Sequence, residues 1–274
     1  MKSHSFAYER PKSVKEAAKI LAEAAGEGRV LAGGQTLGPM LNMRLAMPRL
    51  IVDIGSIPEL KRIERNDSNL VVGATVTHAT FEDWDDATTL GRLLANAGGS
   101  IAYRAVRNRG TIGGSLCHAD PAADWVTTMT LVGARIVVAG IKGSRRVAMS
   151  DFMLGTFSTA LELGEMLEAI EIAQLSPQAR WGYYRICRKV GEFPEALGGV
   201  LMDPSSGISR VVAGAMGGRP VLLPAIADQL ARSGLAPDLK LIDEALQQIA
   251  PDLDPIDRQL HAVAVRRAAM KAVA

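Results

Sequence analysis

Two short glycine-rich stretches hold the residue types best suited to chemistry. The first, Leu31-Ala32-Gly33-Gly34-Gln35-Thr36-Leu37, lies where the β-forming run Val30-Leu31-Ala32 gives way to a helical pattern. Paired glycines let consecutive backbone N–H groups converge on one anion, and the following helix adds the positive end of its dipole. The same pattern also serves as a plain strand-to-helix turn. The second stretch is Arg109-Gly110-Thr111-Ile112-Gly113-Gly114-Ser115, preceded by Arg104 and Arg107 and followed by Ala119-Asp120-Pro121-Ala122-Ala123-Asp124. It too offers small residues and N–H donors, while the downstream carboxylates suit ribose hydroxyls or an adenine amine. Two such turns in one chain suit a pyrophosphate. Neither is a GxxxxGK(S/T) phosphate loop or a GxGxxG dinucleotide fingerprint, so the common nucleotide folds are disfavoured.

Other chemistry-bearing residues read as structural. His118 has no His or Cys partner at ligand spacing, and Cys117 and Cys187 stand far apart without a CxxC, so no metal site, disulfide framework or self-contained iron–sulfur cluster is expected. Both cysteines are expected to pack as small hydrophobes. Of the pair Asp120 and Asp124, the first is expected to cap a helix and the second to face a ligand. Arg104, Arg107 and Arg109 could attract phosphate, but Arg104 and Arg107, three apart, equally suit a solvated helix face or a subunit contact. Met40, Met43 and Met47 follow a helical rhythm as core or interface filler. No catalytic acid–base set is evident.

Positioning these residues requires the following elements. Ser13-Val14-Lys15-Glu16 forms a capping box, so a helix is expected from Val14 to about Ala25. A strand at Val30 to Ala32, a helix to about Arg44 and a strand at Leu50 to Ile54 make a small α/β unit with parallel strands. From about Leu60 the texture becomes α+β. Strands are expected at Leu70 to Gly73, Arg135 to Ala139, Arg145 to Ala148 and Met166 to Ile172, with helices around Asp86 to Ala97 and Ala122 to Leu131. Gln174 to Gln178, containing Pro177, is the candidate boundary. Strands at Trp181 to Ile186, Gly198 to Met202 and Ile208 to Gly214 then precede helices at Pro224 to Ser233, Leu239 to Ala250 and Pro255 to Ala274, a second α+β module. The last helix, rich in Ala and Met, offers little bulk for a private core and is expected to dock on another subunit.

Composition narrows the function classes. In 274 residues, 48% hydrophobic and 22% charged, a full core can be buried, which excludes disorder. Lys and Arg total 31 against 29 acids, so the net charge of +2 gives no footprint for nucleic acid. The first residues lack an apolar signal core, and every apolar stretch is interrupted well before the ~18 residues of a membrane span. A cytoplasmic protein with no transmembrane segment is expected.

Taken together, Ala32-Gly33-Gly34-Gln35-Thr36 with Leu37, Pro39 and Arg44, then Thr111-Ile112-Gly113-Gly114-Ser115 followed by Ala119-Asp120-Pro121 and Asp124, resemble the FAD-binding medium subunit of molybdenum hydroxylases. That group includes carbon monoxide dehydrogenase, quinoline and nicotine oxidoreductases and the flavin domain of xanthine dehydrogenase. The resemblance covers essentially the whole chain. It implies an α+β fold: a two-subdomain FAD-binding domain of the vanillyl-alcohol-oxidase (PCMH) type over residues 1–176, split into about 1–57 and 58–176. A C-terminal domain of the carbon monoxide dehydrogenase flavoprotein type, with a small antiparallel sheet and helices, would occupy 177–274.

Carried onto this sequence, the resemblance implies that Val30, Leu31, Ala32, Gly33, Gly34, Gln35, Thr36 and Leu37, with Thr111, Ile112, Gly113, Gly114 and Ser115, cradle the pyrophosphate of FAD. Asp124 would bind its ribose or adenine side, and Ile101 and Leu161 would line the cofactor. Arg185, Lys189 and Phe193 match a C-terminal motif that reaches the isoalloxazine. The family usually has lysine at Arg185 and often tyrosine or tryptophan at Phe193, so charge and ring are kept. A cation there would stabilise the anionic reduced ring. The resemblance further implies a large molybdopterin-binding subunit and a small iron–sulfur subunit with two [2Fe–2S] clusters as partners, in a dimer of heterotrimers. The FAD would pass their electrons to an external acceptor. A stand-alone flavin oxidase or reductase, and a non-catalytic nucleotide-binding scaffold, are the alternatives.

Overall fold

A computed structural model describes residues 2–274. The capping expectation holds at the first helix. Ser13 Oγ accepts from the Glu16 amide, and α1 (Val14–Glu23) buries Ala17, Ala18 and Leu21. The Glu16 carboxylate reaches one residue past the usual position, to the Lys12 amide. The flanking sheet is parallel, with β3 (Leu50–Asp53) between β1 (Ala7–Glu9) and β2 (Gly28–Leu31). Parallel neighbours need a crossover, which α2 (Leu37–Asn42) and its flanking turns provide between β2 and β3. Since α2 stops at Asn42, Met43 and Met47 lie exposed beyond it, which overturns the core half of the expectation and leaves the interface half untested.

The second unit is a five-stranded antiparallel sheet. Its strands are β4 (Ile63–Arg65), β5 (Asn69–Gly73), β6 (Arg135–Gly140), β7 (Gly143–Ala148) and, after the β8 (Met153–Gly155) and β9 (Ser158–Thr159) ribbon, β10 (Met166–Ala173). They run in the order β4-β5-β10-β6-β7, with β10 central. Five helices fill the segment between β5 and β6: α3 (His78–Glu82), α4 (Thr89–Ser100), α5 (Arg104–Arg107), α6 (Ile112–His118) and α7 (Asp124–Val132). All nine residues of α7 are buried, as expected of a helix covered on every side. Its Trp125, Val126 and Met129 share one core with Val72, Ile136 and Ile170, and also with Leu201 and Val212 from the last third of the chain.

The C-terminal third is an antiparallel sheet, β11 (Arg180–Ile186), β12 (Ala196–Asp203), β13 (Ile208–Gly214) and β14 (Val221–Leu222). A short helix, α8 (Met149–Phe152), lies between β7 and β8, and three helices follow β14: α9 (Pro224–Ser233), α10 (Leu239–Ile249) and α11 (Pro255–Val273). Arg210 of β13 donates from Nη1 to the Val132 carbonyl at 3.0 Å, capping the C-terminal end of α7. The alanines of α11 correct the docking expectation. Ala262, Ala264, Ala268, Ala269 and Ala272 are buried against this chain's own sheet, because small residues are what close approach demands. A Cβ on Gly182 would overlap the Ala268 carbonyl oxygen and stand 2.8 Å from its carbon. One on Gly198 would likewise overlap Ala264.

On the same helix His261 is 2% exposed, and its Nδ1 has no hydrogen-bond partner among the described residues. Burial pushes its pKa down from 6.5 to about 4, so the folded ring is neutral while the unfolded ring takes up a proton as pH falls through 6.5. The unfolded state then binds more protons, and stability is lost between pH 6.5 and 4, by about 3 kcal/mol over the whole interval. His261→Leu removes this proton linkage. Thermal unfolding should show the variant gaining more at pH 5 than at pH 8.

Candidate functional site

The two glycine stretches meet backbone to backbone. A Cβ on Gly33 would overlap the carbonyl oxygen of Arg109 and lie 2.7 Å from its carbon and 3.0 Å from Gly110 Cα, so only glycine admits this contact. Gly34 takes φ +73°, a left-handed conformation natural to glycine. Among the described residues, no protein acceptor takes the backbone N–H groups of Gly33, Gly34, Gln35 or Thr36. Four successive free donors around a left-handed glycine form a concavity suited to an anion.

The second stretch is built differently from the loop its sequence suggests. Helix α6 begins at Ile112, with Thr111 as its cap, and Thr111 Oγ1 accepts from the Gly114 amide at 3.1 Å. The amides of Ile112 and Gly113 are spent on the carbonyls of Val76 and Ala74, both at 3.0 Å. The glycines divide their roles. Gly113 is buried, and a Cβ there would press on Ala74 at 2.6 Å, whereas Gly114 is exposed with only Thr111 Oγ1 nearby. Hence the first turn supplies the unpaired donors, and the second supplies a pinned helix start beside it.

Behind this contact sits a residue without a sequence signal. His78 is 5% exposed and accepts at Nδ1 from the Trp125 indole N–H, at 2.9 Å. Its amide donates to the Gly110 carbonyl, and a Cβ on Gly110 would stand 2.7 Å from His78 Nε2. Burial, with Arg107 adding to it, lowers the His78 pKa to about 4, so a neutral ring backs the turn. A lone histidine after a strand matches no motif, which is why only the structure reveals it.

The three arginines separate. Arg107 grips Glu82 through Nε and Nη2, at 2.8 and 2.7 Å, and Arg104 pairs with Glu82 and Asp83. Arg109 makes no ion pair among the described residues. Asp120 accepts from the Ala122 amide in a turn upstream of α7, whose cap is Ala123, so it is not the helix cap its spacing suggests. His118 packs on Phe157, ring centroids 4.9 Å apart, and no metal-ligand cluster exists among the described residues. Burial raises the Cys117 thiol well above its ordinary range.

Asp124, Arg185, Lys189, Phe193 and Ile101 gather at a second place. Asp124, the first residue of α7, is 4% exposed; Tyr183 Oη donates to its Oδ1 at 3.1 Å, and Arg185 Nε lies 3.2 Å from the same atom. Burial lifts the Asp124 pKa to about 6, against the opposing pull of Arg185. Lys189 and Phe193 are exposed on the loop joining β11 to β12. That loop rests on the chain after α4, since a Cβ on Gly191 would lie 3.2 Å from the Ala102 carbonyl oxygen, next to Ile101. Ile101 and Leu161 are half-buried against the main core.

A family model described as the FAD binding domain in molybdopterin dehydrogenase matches residues 4–174. The chain belongs to this family. Among curated relatives of this FAD-binding chain, the caffeine dehydrogenase subunit beta of Pseudomonas sp. (strain CBB1) is 32% identical over 243 residues, 87% of this chain and 82% of the relative. The carbon monoxide dehydrogenase medium chain of Hydrogenophaga pseudoflava is 36% identical over 200 residues, 73% of this chain and 70% of the relative. Among solved structures, the cyanide-inactivated Cu,Mo-CO dehydrogenase superposes with a TM-score of 0.90 at 29% identity, covering 100% of this chain and 99% of that one. Quinoline 2-oxidoreductase from Pseudomonas putida 86 gives 0.88 at 30% identity, covering 100% and 98%. The expected α+β architecture is the one these structures share.

Proposed function

We propose that this chain is the FAD-binding electron-transfer subunit of a molybdenum-containing hydroxylase. The observation that carries this is the backbone contact of Gly33 with Arg109 and Gly110, beside four unpaired N–H donors. The fit to a diphosphate is direct: Gly33, Gly34, Gln35 and Thr36 would donate to its oxygens, while Gly114 and Ser115, whose amides are taken by Thr111, would border it on the facing helix start. When bound, FAD accepts electrons singly and releases them in pairs, so it joins one-electron iron–sulfur clusters to a two-electron acceptor. The chain's own residues bind and orient. Val30, Leu31, Ala32 and Leu37 hold the first turn, Ile101 and Leu161 flank the cofactor, and Phe193 and Lys189 stand at the ring end.

The partners in this proposal are a large molybdopterin-binding subunit and a small iron–sulfur subunit, arranged as a dimer of heterotrimers in the cytoplasm. Similarity to carbon monoxide and caffeine dehydrogenase subunits supports this. No described helix is long and apolar enough to cross a membrane. The division into residues 1–176 and 177–274 is part of the same proposal, supported by the family match ending at 174 and by the change of sheet at β11.

Gly114→Asp is the test. Its Cβ meets only Thr111 Oγ1, at 2.8 Å, so the strain falls on the α6 cap alone and the fold should survive, while a carboxylate enters the place proposed for phosphate. Purified variant is expected to lose bound flavin with an unchanged far-ultraviolet circular dichroism spectrum. Normal flavin content would remove the diphosphate from this place.

A further inference from the structure

Arg185 carries more contacts than a cation aimed at a cofactor ring needs. Its side chain is 14% exposed, and the guanidinium is spent on three separate segments. Nη1 donates to the carbonyl of Ser100, the last residue of α4. Nη2 donates to the carbonyl of Glu192 at 3.0 Å, in the loop that bears Phe193. Nε stands 3.2 Å from Asp124 Oδ1 without hydrogen-bond alignment. A lysine ammonium gathers its donors at one point on a flexible stem, whereas the guanidinium spreads its donors over three nitrogens held in one plane and so meets three separate segments in a fixed geometry.

The loop's other bonds are local. Arg188 pairs with Glu195 at 2.7 Å, the Glu192 amide donates to Lys189, and the Glu195 amide donates to Ile186. None of these reaches the first two thirds of the chain. Asp124 in turn neutralises the guanidinium, so Arg185 acts at this place through its geometry and not through net charge.

We propose that Arg185 is a positioning residue: it ties the Phe193-bearing loop to Asp124 and to the end of α4, and so closes the ring end of the flavin site. This rests on the flavin site proposed above. The test uses the full chain, with and without added FAD, comparing wild type with Arg185→Lys, which keeps the charge and loses the fork. Amide hydrogen exchange at Glu192 and Phe193 should quicken about tenfold in the flavin-free variant, the size expected when a charge-assisted contact is lost. Visible circular dichroism of bound FAD, which reports the ring's surroundings and not chain stability, should change as well. Unaltered loop exchange or an unaltered flavin spectrum overturns the proposal. Should Arg185→Lys fold poorly, Asp124→Asn removes one of the three anchors, and quickened exchange confined to residues 187–195 is then the supporting result; wild-type exchange there is the opposing one. If wild type binds no FAD, the flavin assignment fails separately, while exchange in the flavin-free chains still decides whether the loop is held by Arg185.

Discussion

Alanine at Gly33 is expected to abolish FAD retention while leaving most of the chain folded. The added methyl overlaps the Arg109 carbonyl oxygen, which is backbone and cannot rotate aside, so the two glycine stretches must separate. Separation displaces the four free amides from the helix start they face, and a diphosphate held by several aligned donors loses most of them at once. A loss of affinity of about a hundredfold or more corresponds to two or three charge-assisted hydrogen bonds. Flavin absorbance after gel filtration measures it. Gly38→Ala is the control: it lies in α2 with nothing within 4 Å of the new Cβ, so it should keep flavin and gain slightly from alanine's helix preference.

The largest stability effect is expected at Gly182→Ala. There the methyl would overlap the Ala268 carbonyl oxygen and lie 3.0 Å from the Ala272 amide nitrogen, forcing α11 off the sheet along much of its length. Overpacking against rigid backbone costs about 3 kcal/mol. Because Tyr183 and Arg185 follow on the same strand, flavin retention should weaken together with thermal stability. Gly217→Ala gives the scale: its φ is +72° with open space around it, so only the conformational cost of about 1 kcal/mol applies. Calorimetric unfolding of both variants decides the comparison.

Elements with their own punctuation were legible in the sequence. The helix from Pro224 to Ser233 matches residue for residue, started by proline and stopped by Gly234, and α1 is announced by Ser13 and Glu16. The alternating burial over Ala169–Ala173 in β10 also announces itself. Elements maintained by distant partners did not. Strand β1 has three exposed residues and exists by pairing with β3. Helix α6 contains two glycines, poor helix formers, and is pinned by the carbonyls of Ala74 and Val76.

The site divides in the same way. Its turns were visible because two glycine pairs occur in one chain with the order and spacing of a known family, although either pair alone also serves as a plain turn. That Gly33 touches Arg109 depends on how two units pack, and no local spacing encodes it. The buried His78 and the Asp124–Arg185 pair are invisible for the same reason, since each joins residues far apart in the chain. The alanines of α11 misled because small residues read as weak packing, whereas here they let the helix backbone approach Gly182 and Gly198 of the sheet closely.

The helix α7 has a practical corollary. Arg185 meets it at one end, Arg210 at the other, and β12 and β13 roof the face between. A flavoprotein fragment cut at residue 176 would leave that roof off and wet a dry helix flank. Anyone grafting flavin modules between such subunits should therefore transplant both halves as one cassette.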